Sequence, residues 1–453
     1  MAEAAAAESS ADRVAVIEDL LESGTARQVE RMLHALHPAE IADLLESLPR
    51  PQRMLLWAQV PAEMHGEILL EVGDDVRDTL VEDMDHTELL AATEQLDIDD
   101  LADFVQSLPE TVVQGVLAGM DKQNRRQLEQ VLSWPEDSAG GLMDLDAVTV
   151  RADVTLEVVL RYLRSRGELP GHLDQLIVVN RYGRYLGILP IDVLLTTDPG
   201  STVSAVMDRE AEPMPPDIPA AEVARRFEDH DLISQAVVDD SGRVLGRITI
   251  DDVVDVIRED AEHSVMSRVG LTEDEDLFAP VRQAAGRRAI WLGVNLATAF
   301  LAAWVIGRFE ATLQEVVALA ILMPIVASMG GIAGTQTLTM VIRGQALGQI
   351  TPRNTRPLLN KELAVALANG LLWAAVVAAA ALLWFRNPGI AAIIGVALIA
   401  NLAIAALAGV LIPIVMRRLR IDAALAGGVV LTTVTDVTGF TVFLGLGALF
   451  LLG

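Results

Sequence analysis

An acidic residue lies in the middle of a long apolar segment near the C-terminal end of the 453-residue chain. The stretch LTTVTDVTGF, residues 431–440, places Asp436 after Thr432 and Thr435, in a run that is otherwise apolar from Ala423 to Leu452. An aspartate at the centre of a membrane helix costs about 2.5–3.5 kcal/mol on insertion scales, so it is expected to have a use or a partner. Because Thr432 and Asp436 are four residues apart, they share one helical face.

Two interpretations of Asp436 are open: an intramolecular salt bridge, or a place on an aqueous ion path. No lysine or arginine lies within one helical turn of Asp436 in the sequence. The pattern therefore favours the ion path over the salt bridge.

A second apolar segment, LMPIVASMGGIAGTQTLTMVIRG, also departs from a plain lipid-facing helix. Pro324 removes a backbone donor, and the pair Gly330-Gly331 invites unwinding. Thr335 and Gln336 place polar groups at membrane depth. Irregular backbone is tolerated there only where protein or a water-filled cavity satisfies it. We therefore expect a helix break at the glycine pair.

Five apolar segments make up the C-terminal third, and each is long enough to cross a ~30 Å hydrocarbon core as a helix. They are residues 289–307, 316–342, 363–385, 389–416 and 423–452. Basic residues cluster before the first segment, between the second and third, and between the fourth and fifth: Arg282, Arg287, Arg288; Arg343, Arg353, Arg356, Lys361; Arg417, Arg418, Arg420. The positive-inside rule then predicts a multi-pass protein of the inner or plasma membrane, with its N-terminus cytoplasmic and its C-terminus outside.

The charge is divided unevenly along the chain. Residues 1–280 contain 22 Lys and Arg against 58 Asp and Glu, whereas residues 281–453 contain 12 against 5. An acidic soluble part of this kind argues against nucleic-acid binding, which needs clustered cations. It fits attraction of metal cations, although simple solubility is the alternative. No phosphate-binding G-x-x-x-x-G-K loop occurs, so we do not expect an ATP-hydrolysing pump. Cysteine is absent, which removes disulfides, cysteine-based metal sites and cysteine nucleophiles.

The N-terminal part carries helical periodicity. We expect a disordered tail over residues 1–12 and an acidic helical domain over residues 13–132. HPAEIADLLESLP and DIDDLADFVQSLPE repeat one design, in which an apolar helical face ends at Leu-Pro. Short helices in series predict a superhelical stack, with an ordinary bundle as the alternative.

An internal repeat follows. LIVVNRYGRYLGILPIDVLL (176–195) and AVVDDSGRVLGRITIDDVVDV (236–256) share a β-branched run, a Gly-Arg turn, a second strand and a helix opened by aspartate. Two such modules, over residues 133–200 and 201–257, resemble a tandem cystathionine-β-synthase (CBS) pair. The acidic stretch from 251 to 278 predicts a helix that leads toward the membrane.

These features together resemble the MgtE family of magnesium channels and transporters. The resemblance covers almost the whole chain, and PEDSAGGLMD, MPIVASMGGIAGTQ and IDAALAGGVVLTTVTDVTGF carry it. It implies a multidomain fold: an all-α superhelical N-domain, an α+β tandem CBS pair, a linking (plug) helix over 258–283, and an all-α polytopic membrane domain over 284–453 with five transmembrane helices.

The resemblance also implies that the chain is not an enzyme and that it forms a homodimer in a lipid membrane, with a Mg²⁺ pore along its two-fold axis. The implied pore and selectivity residues are Asp436, Thr432, Thr435, Gly330, Gly331 and Ile332. Mg²⁺ is then also a regulatory ligand that closes the pore. The matching regulatory positions are Glu67, Asp99, Asp103, Asp252, Asp255, Asp260 and Asp422. CBS pairs often bind adenine nucleotides, and Thr249 and Asp251 are the candidate contacts for ATP.

Two departures from the family pattern leave the function open in part. Ile332 stands where members usually have asparagine, which concerns ion selectivity. His263 and Ser264 replace part of an acidic run, which concerns the strength of gating. One alternative keeps the architecture but conducts other divalent cations such as Co²⁺ or Mn²⁺. A second is a non-conducting sensor whose CBS pair reports Mg²⁺ or nucleotide to a partner.

Overall fold

The structure is a computed structural model. It describes residues 10–452 except 24–25, 94–95, 97, 109–112, 114–115, 118–119, 121, 168, 268–269, 272–274 and 420. The chain divides into two compact units, Met1–Glu262 with Glu273–Ala279, and His263–Thr272 with Pro280–Gly453. The first unit contains the short helices and all the strands described, and the second contains the long apolar helices.

The N-terminal domain is a series of short helices around one apolar core. Its helices are α1 (Ser10–Ser23), α2 (Ala26–Leu33), α3 (Pro38–Glu46), α4 (Arg50–Trp57), α5 (His65–Glu71), α6 (Asp74–Val81), α7 (His86–Thr93), α8 (Ile98–Ser107) and α9 (Lys122–Val131). The prediction of a helical domain is confirmed. The first helix begins at Ser10, inside the predicted tail, and residues 1–9 lie outside the described part.

Helix α3 shows why the sequence folds locally in this way. Its N-cap is His37, whose Nδ1 accepts a hydrogen bond from the backbone N–H of Ala39. Oε2 of Glu40 in turn accepts a hydrogen bond from the backbone N–H of His37, which completes a capping box. The predicted apolar face, including Ile41 and Leu45, is fully buried. Capping thus starts the helix and burial of one face holds it in place.

The next domain contains two small sheets. Strands β1 (Thr149–Arg151), β2 (Gln175–Val179) and β3 (Tyr185–Pro190) form one sheet, with β1 parallel and β3 antiparallel to β2. Strands β4 (Ser234–Val238) and β5 (Val244–Thr249) form the second, antiparallel sheet. Helices α10 (Leu156–Arg166), α11 (Ile191–Thr196), α12 (Val203–Val206) and α13 (Ala220–His230) pack with them.

The internal repeat in the sequence is repeated in the structure. In the first turn, Asn180 Oδ1 accepts from the backbone N–H of Arg184, and in the second, Asp239 Oδ1 accepts from that of Arg243. Gly183 and Gly242 occupy equivalent positions with φ of +74° and +79°, which favour glycine. Each module also pairs with a segment of the other. The backbone of Asp144, in the first module, pairs with β5 of the second, and the backbone of Asp208, in the second module, pairs with β3 of the first.

The helix that leaves the second module is shorter than expected. Helix α14 spans Ile250–Met266, whereas the sequence predicted helix to residue 278 and a plug helix to 283. Residues 275–280 are not helical, and the next helix begins at Val281 after Pro280. Gly270 takes a φ of +76° and packs directly on Trp291, so the chain turns sharply there. The prediction of helix is therefore wrong at residues 275–280, while residues 268–269 and 272–274 lie outside the described part.

The second unit contains five helices that are long and apolar enough to cross a membrane. We name them span 1 (α15, Val281–Gly307), span 2 (α17, Val317–Ala346), span 3 (α18, Thr355–Phe385), span 4 (α19, Pro388–Arg418) and span 5 (α20, Ala423–Leu451), with the short α16 (Glu310–Glu315) after span 1. Span 4 is the most buried of the five. Spans 2, 3 and 5 pack around it.

Span 2 is one continuous helix, so the predicted break at Gly330-Gly331 is wrong. Pro324 lies inside that helix without ending it. A methyl group added at Gly330 would lie 2.3 Å from Nδ2 of Asn401 in span 4. Gly330 therefore allows two helices to approach closely, a use of glycine that is common between membrane helices.

Candidate functional site

An open cleft of about 510 Å³ lies between span 2 and span 5. Its lining residues are Ala327, Ser328, Gly331, Ile332, Thr335, Gln336, Thr432 and Asp436. Span 2 supplies the first six of these and span 5 the last two. The structure thus brings together four of the predicted pore residues: Gly331, Ile332, Thr432 and Asp436.

Two other predicted pore residues do not line the cleft. Thr435 is fully buried, and its Oγ1 donates to the backbone oxygen of Thr432 at 3.1 Å. Gly330 is buried against Asn401. Both positions therefore serve helix packing. Sequence reasoning had noted Thr335 and Gln336 as polar but had not assigned them to the site, although their spacing of three and four residues from Ile332 indicates the same face.

Asp436 is partly buried in the cleft wall. Among the residues that the structure describes, its carboxylate has no hydrogen-bond or salt-bridge partner. Thr432, one turn earlier on the same face, donates its own hydroxyl to the backbone oxygen of Gly428 at 3.0 Å. The hydroxyl oxygen of Thr432 thus keeps its lone pairs for a ligand in the cleft. The salt-bridge interpretation of Asp436 is not supported.

Glu362 in span 3 is a useful contrast to Asp436. It is only 4% exposed, yet its Oε1 lies 2.6 Å from Nζ of Lys361, and its Oε2 accepts from Oγ1 of Thr337 at 3.2 Å. One carboxylate within the described spans is thus paired inside the protein, while the other faces a cleft. A carboxylate that faces an open cleft, as Asp436 does, is suited to bind a cation.

A second cavity, of about 420 Å³, lies at the start of span 5 and is lined in part by Asp422 and Arg417. Asp422 caps span 5, since its Oδ1 accepts from the backbone N–H of Ala424 at 2.8 Å. Its Oδ2 lies 3.3 Å from Nε2 of His263, near the end of α14. Asp422 therefore lies beside His263, one of the two residues at which the sequence departs from the acidic run of the family.

Asp252 occupies the first turn of α14 and is held by its own loop. Its Oδ2 accepts hydrogen bonds from the backbone N–H and from Oγ1 of Thr249, at 3.1 and 3.0 Å. Burial nevertheless raises the pKa of Asp252 to about 7, and the charges of Asp251 and Asp100 add to this. The neighbouring α8 thus presents a carboxylate, Asp100, that sequence reasoning missed.

A second carboxylate pair lies one turn along α14. Burial raises the pKa of Glu71, and the charge of Asp255 raises it further. Burial likewise raises the pKa of Asp255, while Arg258, 3.3 Å away, lowers it. Glu71 ends α5, one turn beyond the predicted ligand Glu67, which is exposed. The periodicity of α5 could have suggested Glu71, but the pairing with Asp255 is a long-range contact.

The remaining predicted regulatory residues are less informative. Asp260 is exposed on α14. The side chains of Asp99 and Asp103 lie outside the described residues. Within the described part of the chain, no group of three acidic or histidine side chains is placed to hold a metal ion.

The candidate nucleotide contacts differ in availability. Thr249 is buried and directs both of its hydrogen-bond donors to Asp252. Asp251 is exposed, and its Oδ2 lies 3.6 Å from Nε2 of His172 in the loop before β2. Of these two candidates, Asp251 is therefore the one whose side chain is exposed to a ligand.

Family models match the chain in the order of its domains. The intracellular N domain of MgtE matches residues 36–137, CBS domains match 139–197 and 203–259, and the MgtE divalent cation transporter domain matches 323–446. The chain belongs to the MgtE family. The cleft with Asp436 lies within the transporter domain, and the paired carboxylates lie in the N domain and at the end of the second CBS match.

Two curated relatives extend over nearly the whole chain. A magnesium transporter MgtE from Thermus thermophilus is 29% identical, covering 96% of this chain and 98% of the relative. One from Bacillus subtilis is 25% identical, covering 95% and 96%. The crystal structure of the cytosolic domain of the Mg²⁺ channel MgtE in complex with ATP is 29% identical, covers 54% of this chain and 99% of that chain, and has a TM-score of 0.50.

These comparisons confirm several predictions. The fold class is confirmed: a helical N-domain, a CBS pair and a helical region with five apolar helices. A transporter family with five such helices makes the chain a multi-pass membrane protein. MgtE proteins are transporters, so the prediction that the chain is not an enzyme is also confirmed.

Proposed function

We propose that the chain is a Mg²⁺-selective, Mg²⁺-gated channel that imports magnesium across a cell membrane. The observation that carries this proposal is the carboxylate of Asp436, which faces a cleft of the transporter domain and has no partner among the described residues. Relatives of nearly full length are named magnesium transporters, which supports Mg²⁺ as the ion.

The cleft suits an ion that keeps its water. Mg²⁺ dehydrates reluctantly and is usually bound through one or two carboxylates with several waters retained. Asp436 supplies the charge, while Thr432, Thr335 and Gln336 supply oxygen atoms that accept hydrogen bonds from coordinated water. Such contacts bind a hydrated ion weakly enough to release it, as conduction requires.

The conducting form is a homodimer in this proposal. The cleft is open on one side, and Ile332 and Thr432 on its wall are exposed. One chain therefore does not enclose an ion. A second copy facing the first would close the cleft and bring two Asp436 carboxylates to one axis, which is the charge that a divalent ion matches.

Orientation follows from the basic flanks. With the N-terminus cytoplasmic and the C-terminus outside, Asp422 lies at the cytoplasmic end of span 5. A negative-inside membrane potential then drives Mg²⁺ inward with a free energy of about 2.3 kcal/mol per charge per 100 mV.

Gating is proposed to act through the carboxylate pairs between the N-domain and α14. Without a cation, Glu71 and Asp255 repel one another, as do Asp100 and Asp252. A Mg²⁺ ion shared by such a pair would remove the repulsion and hold the domains together. Because the ion binds one arrangement better than the other, it shifts the equilibrium toward closure.

A nucleotide is the second proposed ligand of the cytosolic part. The related MgtE cytosolic domain was solved in complex with ATP. Here Asp251 is the available contact beside the CBS sheet. Isothermal titration of the full chain with ATP, with Asp251→Ala alongside, tests this directly, and equal heats for the two proteins would reject Asp251 as a contact.

Flux in proteoliposomes tests the main proposal. Wild-type protein loaded with an internal Mg²⁺ indicator is expected to show Mg²⁺ entry driven by a negative interior potential. Greater entry of Co²⁺ or Mn²⁺ would support the alternative of another divalent substrate. Absence of any ion entry, from folded protein that still binds Mg²⁺, would support the non-conducting sensor and reject the channel.

A further inference from the structure

A single polar side chain lies at the centre of the span bundle. Asn401 of span 4 is fully buried, and its Nδ2 donates to the backbone oxygen of Val326 in span 2 at 2.9 Å. A methyl group added at Gly330 in span 2 would lie 2.3 Å from that Nδ2, and one added at Gly439 in span 5 would lie 2.8 Å from it. The amide of Asn401 is thus enclosed by the backbones of both cleft-forming helices.

The two glycines are close in sequence to the cleft wall. Gly330 immediately precedes Gly331, and Gly439 follows Asp436 by three residues. Three residues of helix rise about 4.5 Å, less than one turn. Since a helix is stiff over one turn, a change in the spacing of spans 2 and 5 at Asn401 also changes their spacing at Asp436.

Stability alone does not account for asparagine at this position. The Oδ1 atom of Asn401 is buried and has no hydrogen-bond partner among the described residues. An unsatisfied buried acceptor costs about 1–3 kcal/mol. Leucine, which has the same branched skeleton but bulkier methyl groups, would avoid this cost but would lose the directed contact with Val326.

We propose that Asn401 is a positioning residue for permeation: it fixes the separation of spans 2 and 5 and thereby the width of the cleft at Asp436. It does not touch the ion. The proposal rests on the proposed function, since cleft width governs selectivity only if ions pass through the cleft.

A double-mutant cycle tests the contact. Gly330→Ala is expected to displace Asn401 and to lower Mg²⁺ flux in proteoliposomes, because its methyl group has no room. Asn401→Ala vacates that room, so Gly330→Ala with Asn401→Ala should conduct at least about fivefold more than Gly330→Ala alone, a coupling typical of residues in contact. Gly445→Ala in span 5, where a methyl group meets nothing within 4 Å, is the matched control.

The readout that separates positioning from folding is the ratio of Mg²⁺ to Ca²⁺ flux. Asn401→Leu is expected to change this ratio in protein that remains monodisperse and thermally stable. A flux that falls only in proportion to the folded fraction, with an unchanged ratio and no recovery in the double variant, would overturn the proposal.

A measurement that needs no conduction keeps the two proposals distinguishable. The chain has no cysteine, so Ser328→Cys with Thr432→Cys introduces one defined pair across the cleft. Bifunctional thiol reagents of graded length then report the separation of spans 2 and 5. If the wild type does not conduct but Asn401→Leu shifts the reagent length that cross-links best, the proposed channel fails, and with it the role in permeation, while the control of cleft width by Asn401 stands. An unshifted length overturns the positioning role whatever the flux.

Discussion

Arg53 and Asp276, 223 residues apart in the chain, form a buried bidentate salt bridge. The Nη1–Oδ2 and Nη2–Oδ1 distances are 2.8 and 2.9 Å, and the side chains are 0% and 7% exposed. Nε of Arg53 donates to the backbone oxygen of Leu45 at 2.7 Å. The N-domain helix α4 therefore holds the segment that precedes span 1 through one desolvated ion pair.

Removing one partner of this pair should be costly. Arg53→Met leaves Asp276 buried without its cation, and we expect a loss of about 3–5 kcal/mol in the free energy of unfolding of the first unit. Chemical denaturation measures this free energy, with hydrogen exchange in residues 275–279 as the local readout. Arg50→Met is the matched control, because Arg50 pairs with Glu82 on the surface, where loss costs less than about 1 kcal/mol. Equal losses of stability for the two variants would contradict the assignment of Arg53 and Asp276 as a buried, stabilising ion pair.

Asp252 should make the stability of the first unit depend on pH. Its pKa is raised from 3.8 to about 7, so the folded chain holds the proton more tightly than the unfolded chain. Its contribution is therefore most favourable below pH 3.8 and is lost as the pH rises toward 7. Asp252→Asn keeps a hydrogen-bond acceptor for Thr249 and should raise the melting temperature at pH 8 in EDTA far more than at pH 5. Asp260→Asn, exposed on the same helix, should show no such difference; a matching shift there would reject the explanation.

Glu71 should be required for Mg²⁺-dependent closure. In wild-type protein, millimolar Mg²⁺ is expected to protect α14 and the N-domain from protease. Glu71→Gln removes one charge of the pair with Asp255, so it should protect α14 even in EDTA and weaken the further effect of Mg²⁺. Glu67→Gln, one turn earlier on α5, is the comparison. If Glu67→Gln changes the cleavage rate and Glu71→Gln does not, the sequence-based ligand is the correct one.

Ile332 should influence which divalent ion passes. It is 58% exposed and lines the cleft opposite Asp436. Ile332→Asn places an amide on this wall and is expected to increase the preference for Mg²⁺ over Co²⁺, because an amide can hydrogen-bond the ion's water shell. Competition flux assays with both ions measure the preference, and Ile332→Val, which keeps the wall apolar, is the control. Identical preferences in all three proteins would remove Ile332 from the selectivity site.

Local patterns in the sequence predicted most of the fold. Hydropathy gave five spans because lipid imposes a length and a polarity on each helix. The CBS modules were visible because Gly183 and Gly242 mark the same turn twice. Pattern reasoning went wrong at Gly330-Gly331, where glycine serves close packing instead of unwinding, and beyond Met266, where composition resembled a helix but the chain turns at Gly270.

The candidate site was predicted only where its residues lie close together in the sequence. Thr432 and Asp436 share one helical face, so their spacing was informative. The contacts of Arg53 with Asp276 and of Asn401 with Gly330, and the repulsion between Glu71 and Asp255, join distant parts of the chain. A single sequence contains no periodicity that links such positions, and only the folded packing reveals them.

The central claim is that Mg²⁺ passes through the cleft between spans 2 and 5 and depends on the Asp436 carboxylate there. Its most direct test is Mg²⁺ uptake into proteoliposomes by Asp436→Asn, measured beside Glu362→Gln, which neutralises the carboxylate that is paired inside the protein. We predict that Asp436→Asn lowers the initial rate at least about tenfold, equivalent to about 1.4 kcal/mol in the barrier, while Glu362→Gln remains within about threefold of wild type. Wild-type uptake by Asp436→Asn would contradict the account.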